Sequence, residues 1–419
     1  MSDPIKRVKG FADMFEPESA AFTFLENTAR RIFGLYGFTE LRTPVLERTE
    51  LFARGIGDET DVVQKEMYTF PDRGGRSLTM RPEATAGVMR AFIEAGISNE
   101  QSVSKFFTCG PMFRYEQPQK GRLRQFHQLN CECLGPEEPA ADAEIITMLM
   151  HFLSEIGLKD LCVEINSLGD HNCRPAYRQK LLEWAGKLPE EELCPDCRRR
   201  MRTNPLRLLD CKEAACQALT QDAPVMLDHI CADCRAHFDT VCALLDKNGV
   251  PWKLNPRMVR GLDYYVRTTF EVLSGKIGAQ SAVTGGGRYD GLIHDLGGPD
   301  VPGIGFASGM ERLAMLLPET VLQRPDFYIA VVEDTAMDTA FALGRTLRQA
   351  GLRGEMSFSA RKMKQQMKTA SRLNVRKCLI LGGLEVENGA VQVKDMDSGE
   401  QIEAPISEVV GFFEQGSLT

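Results

Sequence analysis

The sequence predicts an α+β core that is interrupted by a helical insertion and followed by a separate α/β domain. Two strand-rich regions flank residues 171–250, which are rich in cysteine, show helical periodicity and contain few β-branched residues. After Arg324 and Pro325, strand-like and helix-like segments alternate, as they do in a compact α/β domain. We therefore expect a core at 1–325, with the insertion inside it, and a second domain at 326–419.

The elements of the core follow from local patterns. Pro82 would lie in the first turn of a helix, where its missing N–H is tolerated. A strand-like segment at 38–47 contains Pro44, which lacks a ladder donor, so we expect it at a sheet edge or at a domain or subunit boundary. Helical spacing predicts helices at 17–37, 81–96, 143–156 and 310–317, and alternation predicts strands at 105–116, at 122–134 and within 258–308.

The second domain carries a local concentration of positive charge. Its helices are predicted at 337–350 and 361–373, between strands, and a hairpin and a final helix follow. Residues 345–377 contain ten Lys or Arg residues and one acidic residue, Glu355. Such a run is typical of a nucleic-acid-binding surface, although a merely solvated face has the same composition.

The composition points to a cytoplasmic protein. Of the 419 residues, 43% are hydrophobic and 26% are charged, and the first residues lack the apolar core of a signal peptide. No apolar run approaches the roughly 18 residues of a membrane span. Thirteen cysteines, an odd number, favour a reduced protein over a disulfide framework. The net charge of −8 argues against a generic nucleic-acid coat and leaves local basic patches open.

Residues 122–134 form a predicted strand with one polar face. The preceding strand adds Arg114 and Glu116 on one face, so the two strands together suit the floor of a polar small-molecule site. A solvated sheet face is the alternative for a single strand with this pattern. The apolar face carries Leu123, His127, Leu129, Cys131 and Cys133, and the polar face carries Arg124, Phe126, Gln128, Asn130 and Glu132.

A second cluster of polar and aromatic residues follows the insertion. Residues 260–271, RGLDYYVRTTFE, place Arg260 ahead of Tyr264 and Tyr265, whose rings offer walls and whose hydroxyls offer polar tips. A surface pair of Arg260 with Asp263 beside core aromatics is the structural alternative.

Two further segments are rich in small residues. Residues 284–292, TGGGRYDGL, contain three glycines that permit close approach of a ligand, but they match neither a dinucleotide fingerprint nor a P-loop. Residues 303–313, GIGFASGMERL, lead into a helix whose first turn bears Glu311 and Arg312. That arrangement is common at anion sites and also on plain surfaces.

Together these segments resemble the signature motifs of the class II aminoacyl-tRNA synthetases. Residues 113–128, FRYEQPQKGRLRQFHQ, are similar to the second motif and 303–313 to the third, and the region around Pro44 resembles the first, which builds the dimer interface. More narrowly, TMRPEATAG at 79–87, RGLDYYVRTTFE and GGGRYDGL are similar to segments of the histidyl-tRNA synthetase family. The resemblance covers essentially the whole chain in the expected order.

The resemblance implies a fold and a reaction. The core would be an antiparallel-sheet class II catalytic domain with a helical insertion, and 326–419 would be an anticodon-binding domain. The carboxylate of L-histidine would attack the α-phosphate of ATP, supplied with Mg²⁺, and expel pyrophosphate. The 3′-terminal ribose of tRNA(His) would then take the histidyl group. The family also implies a homodimer.

The resemblance also assigns site residues. Arg114 and Arg260 would be the catalytic pair on either side of the α-phosphate. A site that hydrogen-bonds both imidazole nitrogens rejects other amino acids, so no editing domain is expected. ATP would be bound by Arg114, Glu116, Arg122, Phe126 and, at the γ-phosphate, Arg312. Histidine would be bound at its α-amino group by Glu83, Thr85 and Gln128, and at its ring by Glu132, Tyr264 and Tyr265 with Tyr289 nearby.

Two rival functions remain at this point. One is a regulatory paralogue that binds histidine or ATP without ligation, like the ATP phosphoribosyltransferase regulatory subunit, which typically lacks the terminal domain. The other is a non-catalytic nucleic-acid-binding protein, which would have no reason to keep the polar constellation of Glu83, Gln128, Glu132 and Tyr264.

The insertion has its own cysteine pattern. Two Cys-x2-Cys pairs have the spacing of zinc knuckles, although 33 residues separate them. Packing as small buried side chains is the alternative. We expect one structural zinc held by Cys194, Cys197, Cys231 and Cys234, with Cys211 or Cys216 as substitutes. Such a site would hold Arg198 to Arg202, with Arg207, rigid as a basic surface for the tRNA acceptor arm.

Overall fold

The structure is a computed structural model in two compact units, Met1–Val321 and Leu322–Thr419. In the described ranges, no helix combines the length and the apolar character that crossing a bilayer requires. The described residues are 4–57, 60–118, 121–260, 262, 264–275, 282–318 and 324–414.

The first unit is built on a large, mainly antiparallel sheet. Its strands are β1 (Thr39–Glu40), β2 (Leu46–Arg48), β3 (Tyr68–Pro71), β4 (Ser77–Met80), β5 (Ser104–Phe113), β6 (Gln125–Leu134), β7 (Leu161–Ser167), β8 (Trp252–Leu254), β9 (Val266–Ser274), β10 (Ala282–Arg288) and β11 (Gly303–Gly309). Eight of these described strands pair in the order β1-β5-β6-β11-β10-β9-β7-β8. Only the two edge pairs, β1 with β5 and β7 with β8, are parallel among them.

Helices cover one face of this sheet. The helices of the unit are α1 (Glu18–Leu35), α2 (Thr49–Ile56), α3 (Thr85–Glu94), α4 (Pro139–Glu155), α5 (Arg174–Ala185), α6 (Pro195–Thr203), α7 (Ala214–Leu219), α8 (Ala232–Lys247), α9 (Leu292–Asp295) and α10 (Met310–Ala314). Apolar side chains of α1, α4 and α8 pack against Leu129, Cys131 and Cys133 of β6 in one core. The predicted apolar face of this strand is thereby confirmed, and its opposite face is left for polar side chains.

Pro44 lies where the chain passes between two sheets. Before it, β1 is an edge strand of the large sheet, and after it, β2 is an edge strand of a three-stranded antiparallel sheet with the order β2-β4-β3. The edge position predicted for this segment is therefore confirmed, because a residue without an N–H interrupts the ladder there.

Several predictions of local structure were wrong. Strand β5 ends at Phe113, so Arg114 and Glu116 follow it instead of lying on the face of the strand predicted at 105–116. Pro82 precedes α3 instead of lying in its first turn, because the carboxylate of Glu83 accepts the N–H groups of Thr85 and Ala86 and the helix starts at Thr85. The strand predicted from residue 122 begins only at Gln125, and Leu123, ahead of it, lines a cavity instead of the core. Asp263, the alternative partner of Arg260, lies outside the described residues.

The second unit is an α/β domain, as predicted, and helices pack on both faces of its sheet. Its described strands, β12 (Phe327–Val331), β13 (Gly354–Met356), β14 (Lys377–Leu381), β15 (Ala390–Asp395) and β16 (Gln401–Pro405), pair in the order β13-β12-β14-β15-β16. Its helices are α11 (Met337–Gln349), α12 (Met363–Arg372), α13 (Gly383–Glu387) and α14 (Gly411–Glu414). Alternate side chains of β12 pack toward α11 on one face and toward α12 on the other, which explains the continuous apolar run of this strand.

Candidate active site

Two cavities lie against the polar face of the large sheet. The tyrosine cavity, of about 360 Å³, is lined by Tyr264, Tyr265 and Tyr289 together with acidic and amide side chains. The arginine cavity, of about 250 Å³, is lined by Phe126, Arg312 and neighbouring residues. Both cavities share the side chains of Arg114, Glu116, Arg122, Gln128 and Arg260, so they form one cleft. Every site residue named from the sequence lines one of these cavities or both.

Glu132 is the centre of the tyrosine cavity. Its side chain points from β6 past Gly305 of β11, where a Cβ would overlap the carboxylate. The hydroxyl of Thr85 donates to Glu132 Oε1 at 2.7 Å, and the hydroxyl of Tyr289 donates to Oε2. Burial raises the pKa of Glu132 to about 8, against the opposing effect of those two hydrogen bonds. The charge of the Glu132 carboxyl group therefore depends on the ligand groups that bind next to it.

Glu83 places a second buried acidic group in the same cavity. Its two oxygens accept the backbone N–H groups of Thr85, at 2.7 Å, and Ala86, at 2.9 Å, at the start of α3. Burial raises the pKa of Glu83, although these hydrogen bonds act in the opposite direction. The remaining lone pairs of both carboxylates can accept hydrogen bonds from a cationic or N–H-bearing ligand.

Three tyrosines form an aromatic wall around Glu132. The ring centroids of Tyr264 and Tyr265 are 4.6 Å apart, and the ring of Tyr264 meets that of Tyr289 edge-on at 5.7 Å. Burial raises the pKa of all three phenols, so their hydroxyls stay protonated and can donate. A flat heterocycle with ring nitrogens suits such a wall, because it offers faces to the rings and edges to the polar tips.

Two amide side chains on β6 have unsatisfied buried oxygens. Gln128 Oε1 and Asn130 Oδ1 are buried and find no hydrogen-bond partner among the residues that the structure describes, and both side chains line the tyrosine cavity. An unpaired buried acceptor is costly, so a donor group of a ligand is the natural partner for each. Asn130 was not among the residues singled out for a role, although the alternation of the strand had placed it on the correct face.

The arginine cavity gathers guanidinium groups. Arg114 is fixed by a 2.8 Å hydrogen bond from Nε to the carbonyl of Pro82, and its guanidinium lies 5.4 Å from the ring centroid of Phe126. Arg122 donates to Glu116 Oε2 at 3.1 Å. Burial and the neighbouring Arg122 lower the pKa of Arg312, because like charges are crowded there. A polyphosphate would neutralise this charge.

Arg260 reaches the junction of the two cavities from the segment before β9. It donates to Glu271 Oε1 at 2.5 Å and lies 5.4 Å from the ring centroid of Tyr265. Its guanidinium packs on Gly285, where a Cβ would overlap it. The first glycine of the TGGGRYDGL segment therefore makes room for an arginine of the site. This contact accounts for a glycine at position 285, and no phosphate-binding loop is needed to explain it.

Arg207 of the insertion is a cavity residue that the sequence had placed on a surface. Its Nη1 donates to the backbone carbonyl of Arg260 at 2.9 Å, and its side chain lines the tyrosine cavity. Other members of the predicted basic surface also have partners within the chain, since Arg199 and Arg200 pair with Asp61 at 3.2 and 3.6 Å. The arginine run therefore attaches the insertion to the rim of the site.

The cysteines of the insertion form two clusters instead of one. Cys194 and Cys197 lie with two other cysteines, while Cys231 and Cys234 lie with an acidic residue and a cysteine from the start of the insertion. The prediction that both Cys-x2-Cys pairs share one ion was therefore wrong, because each pair finds its partners in a different segment. The clusters are Cys194, Cys197, Cys211 and Cys216, and Asp170, Cys173, Cys231 and Cys234.

Comparisons with known proteins agree on one family. A family model described as histidyl-tRNA synthetase matches residues 10–313, and one described as an anticodon binding domain matches 326–416. The histidine–tRNA ligase of Oleidesulfovibrio alaskensis is 63% identical over 95% of this chain and 96% of its own length. That of Geobacter sulfurreducens is 51% identical over 96% of this chain and 98% of its own. The crystal structure of an apo histidyl-tRNA synthetase from S. aureus matches with a TM-score of 0.79 at 35% identity, covering 98% of this chain and 100% of that one.

Proposed function

This chain belongs to the histidyl-tRNA synthetase family, whose reaction is the ATP-dependent ligation of L-histidine to tRNA(His). We propose which of its residues bind each substrate and which act in each step. The relatives that match at 51% and 63% identity over nearly their full length bear the name of the ligase. The chain also has the second domain that the regulatory paralogue typically lacks. Ligation is therefore favoured over the regulatory alternative.

The tyrosine cavity is the proposed histidine site. Glu132 accepts an imidazole N–H, and a hydroxyl of the aromatic wall donates to the other ring nitrogen. The α-amino group faces Glu83, the hydroxyl of Thr85 and the oxygen of Gln128, which is unpaired within the described part of the chain. Amino acids without ring nitrogens would leave these buried groups unpaired, which makes them poor substrates.

The arginine cavity is the proposed site of ATP, which arrives as its Mg²⁺ complex. Phe126 offers a flat surface to adenine, with Glu116 and Arg122 beside it, and Arg312 faces the γ-phosphate. The support is the grouping of cationic side chains around an aromatic ring in this cavity, since phosphate binding depends on such charge.

Adenylation occurs in this proposal at the junction of the cavities. A carboxylate oxygen of histidine forms a bond to the α-phosphorus, and the bond to the pyrophosphate oxygen breaks. Arg114 and Arg260 border both cavities and neutralise the charge that grows on the α-phosphate oxygens. This shared position of two fixed guanidinium groups is the observation that carries the proposal. The tRNA ribose hydroxyl then attacks the histidyl carbonyl and releases AMP.

The second unit is the proposed site of tRNA(His) recognition. Nine of the ten basic residues in 345–377 are exposed, and Lys377 is the buried exception, paired with Asp395 at 3.2 Å. Exposed positive charge attracts the phosphate backbone, and the strongly exposed ring of Phe358 can stack on an unpaired base.

The enzyme is proposed to act in the cytoplasm as a homodimer. None of the thirteen cysteines, each in the described part of the chain, forms a disulfide, which suits a reducing compartment. The edge strands on either side of Pro44 offer a surface for a second copy.

Aminoacylation of total tRNA with each amino acid in turn tests the function. Charging with histidine alone is expected, because the cavity is built for two ring nitrogens. Charging with another amino acid at a comparable rate, or no charging by folded protein, would contradict the proposal.

A further inference from the structure

The insertion contains two clusters of metal-ligand side chains that the ligation reaction does not use. One consists of Cys194, Cys197, Cys211 and Cys216, and the other consists of Asp170, Cys173, Cys231 and Cys234. We propose that each cluster binds one structural zinc ion.

The distances within the clusters fit tetrahedral zinc. In each cluster the four ligand atoms lie within 4.8 Å of one another. The Sγ atoms of Cys194 and Cys211 are 3.8 Å apart, and so are those of Cys173 and Cys234. Zn–S bonds of about 2.3 Å in a tetrahedron place sulfurs about 3.8 Å apart, whereas a disulfide needs about 2.05 Å.

The two clusters share one backbone arrangement. Each contains a Cys-x-Asp-Cys segment, CPDC at 194–197 and CADC at 231–234, that opens a helix. In both, the N–H of the last cysteine donates to the sulfur of the first, at 3.4 Å for Cys197 and 3.5 Å for Cys234. Such N–H···S bonds support thiolate ligands.

A further contact is repeated between the two clusters. The backbone N–H of Cys194 donates to Cys216 Sγ at 3.2 Å, and that of Cys231 donates to Cys173 Sγ at 3.0 Å. Packing of small apolar side chains gives no reason for the same hydrogen-bond pattern to occur twice. Metal binding does give one, since both sites impose the same geometry on their ligands.

The donor sets favour zinc over the hard cations magnesium and calcium. Four thiolates in the first cluster, and three thiolates with a carboxylate in the second, are sets that zinc accepts and that magnesium and calcium do not favour. Asp170 is buried, and its Oδ1 accepts the N–H groups of Asn172 and Cys173, which fixes the carboxylate. Oδ2 lies 4.0 Å from the guanidinium of Arg267, which offsets part of the negative charge of the site.

The apolar cores of the insertion are too small to replace these ions. Apart from residues of α8 and its flanks that pack into the main core of the first unit, the insertion has two clusters that together contain eleven buried side chains, five of which are the buried cysteines themselves. Small cores of this kind gain stability from a bound metal. The second site links the first residues of the insertion to the start of α8. The ligands of the first site flank Pro205–Leu208 in the sequence, and this segment positions Arg207 to donate to the carbonyl of Arg260.

Elemental analysis of the full chain, purified without chelator, tests the proposal. Two zinc ions per chain are expected in the wild type. Cys197→Ser and Cys234→Ser should each retain one zinc, because each removes a ligand of one site. Cys242→Ser is the matched control, since Cys242 is buried on α8 and belongs to neither cluster, and it should retain two.

Several results would overturn the proposal. These are fewer than about 0.2 zinc ions per chain in the wild type, iron in place of zinc, disulfides detected by intact mass, or one ion that both serine variants lose. If a serine variant does not fold, the cysteines of the wild type are titrated with a thiol reagent instead, and the zinc that is released is measured with a coloured chelator. Release of two equivalents supports two sites, and release of one or none contradicts them.

Discussion

At the scale of one residue, the protonation of Glu132 links stability to pH. Burial raises the pKa of this carboxyl from its ordinary value near 4.5 to about 8 in the folded protein. The folded state therefore holds the proton more tightly than the unfolded state does. The stability that this gives is fully present below about pH 4.5 and is lost as the pH rises through about 8.

Glu132→Gln should remove this pH dependence. Without histidine, the free energy of unfolding of the wild type should fall between pH 5 and 9 by a few kcal/mol more than that of the variant. Denaturant titrations at several pH values measure both. Glu94→Gln, which changes an exposed glutamate on α3, should follow the wild type. Parallel curves for Glu132→Gln and wild type would contradict the expectation.

At the scale of one element, α12 presents a row of positive charge. Lys364, Lys368 and Arg372 are spaced four residues apart on this helix and are all exposed, so they lie along one side of it. A row of cations with this spacing can follow a nucleic-acid backbone, and each contact adds to the salt dependence of binding.

Lys368→Glu should weaken tRNA binding without slowing adenylation. The KM for tRNA should rise and the salt dependence of binding should fall by about one unit of slope, because one phosphate contact is lost. Lys159→Glu makes the same charge change at an exposed site in the first unit and is the control. A KM equal to that of the control would argue against a tRNA contact at α12.

Single strands and helices also differ in how far the sequence could predict them. Alternation along β6 placed Gln128 and Glu132 on the cavity face, because a strand with one buried side has a fixed period of two. The position of Arg207 and the ligand Asp170 could not be predicted, since both depend on contacts between segments distant in the chain. The start of α3 was missed because a side-chain cap, rather than the proline, sets it.

At the scale of the whole molecule, the site is assembled from segments spread over most of the first unit. The resemblance to a known family predicted which segments meet, whereas periodicity alone predicted only their local structure. The surface around Pro44 is the proposed contact with a second copy of the chain. Leu46, on the edge strand β2, is 43% exposed there, so its own chain covers this apolar side chain only in part.

Leu46→Asp should shift the protein from dimer to monomer. Sedimentation at micromolar concentration should show a dimer for the wild type and a lighter species for the variant, because a buried charge at an interface is costly. Leu254→Asp is the matched control, since Leu254 is also 43% exposed and also lies on an edge strand, β8. A wild-type monomer, or equal effects of both changes, would contradict this interface.

Arg260 is proposed to act on the α-phosphate during histidine activation. Histidine-dependent exchange of pyrophosphate into ATP measures that step without tRNA. The wild type should catalyse the exchange, and Arg260→Ala should slow it by about two to four orders of magnitude while remaining folded. Arg257→Ala removes an arginine of the same segment that binds Thr220 instead of lining the cleft, and it should stay within a few-fold of wild type. No histidine-dependent exchange by the folded wild type, or near-normal exchange by Arg260→Ala, would contradict the account.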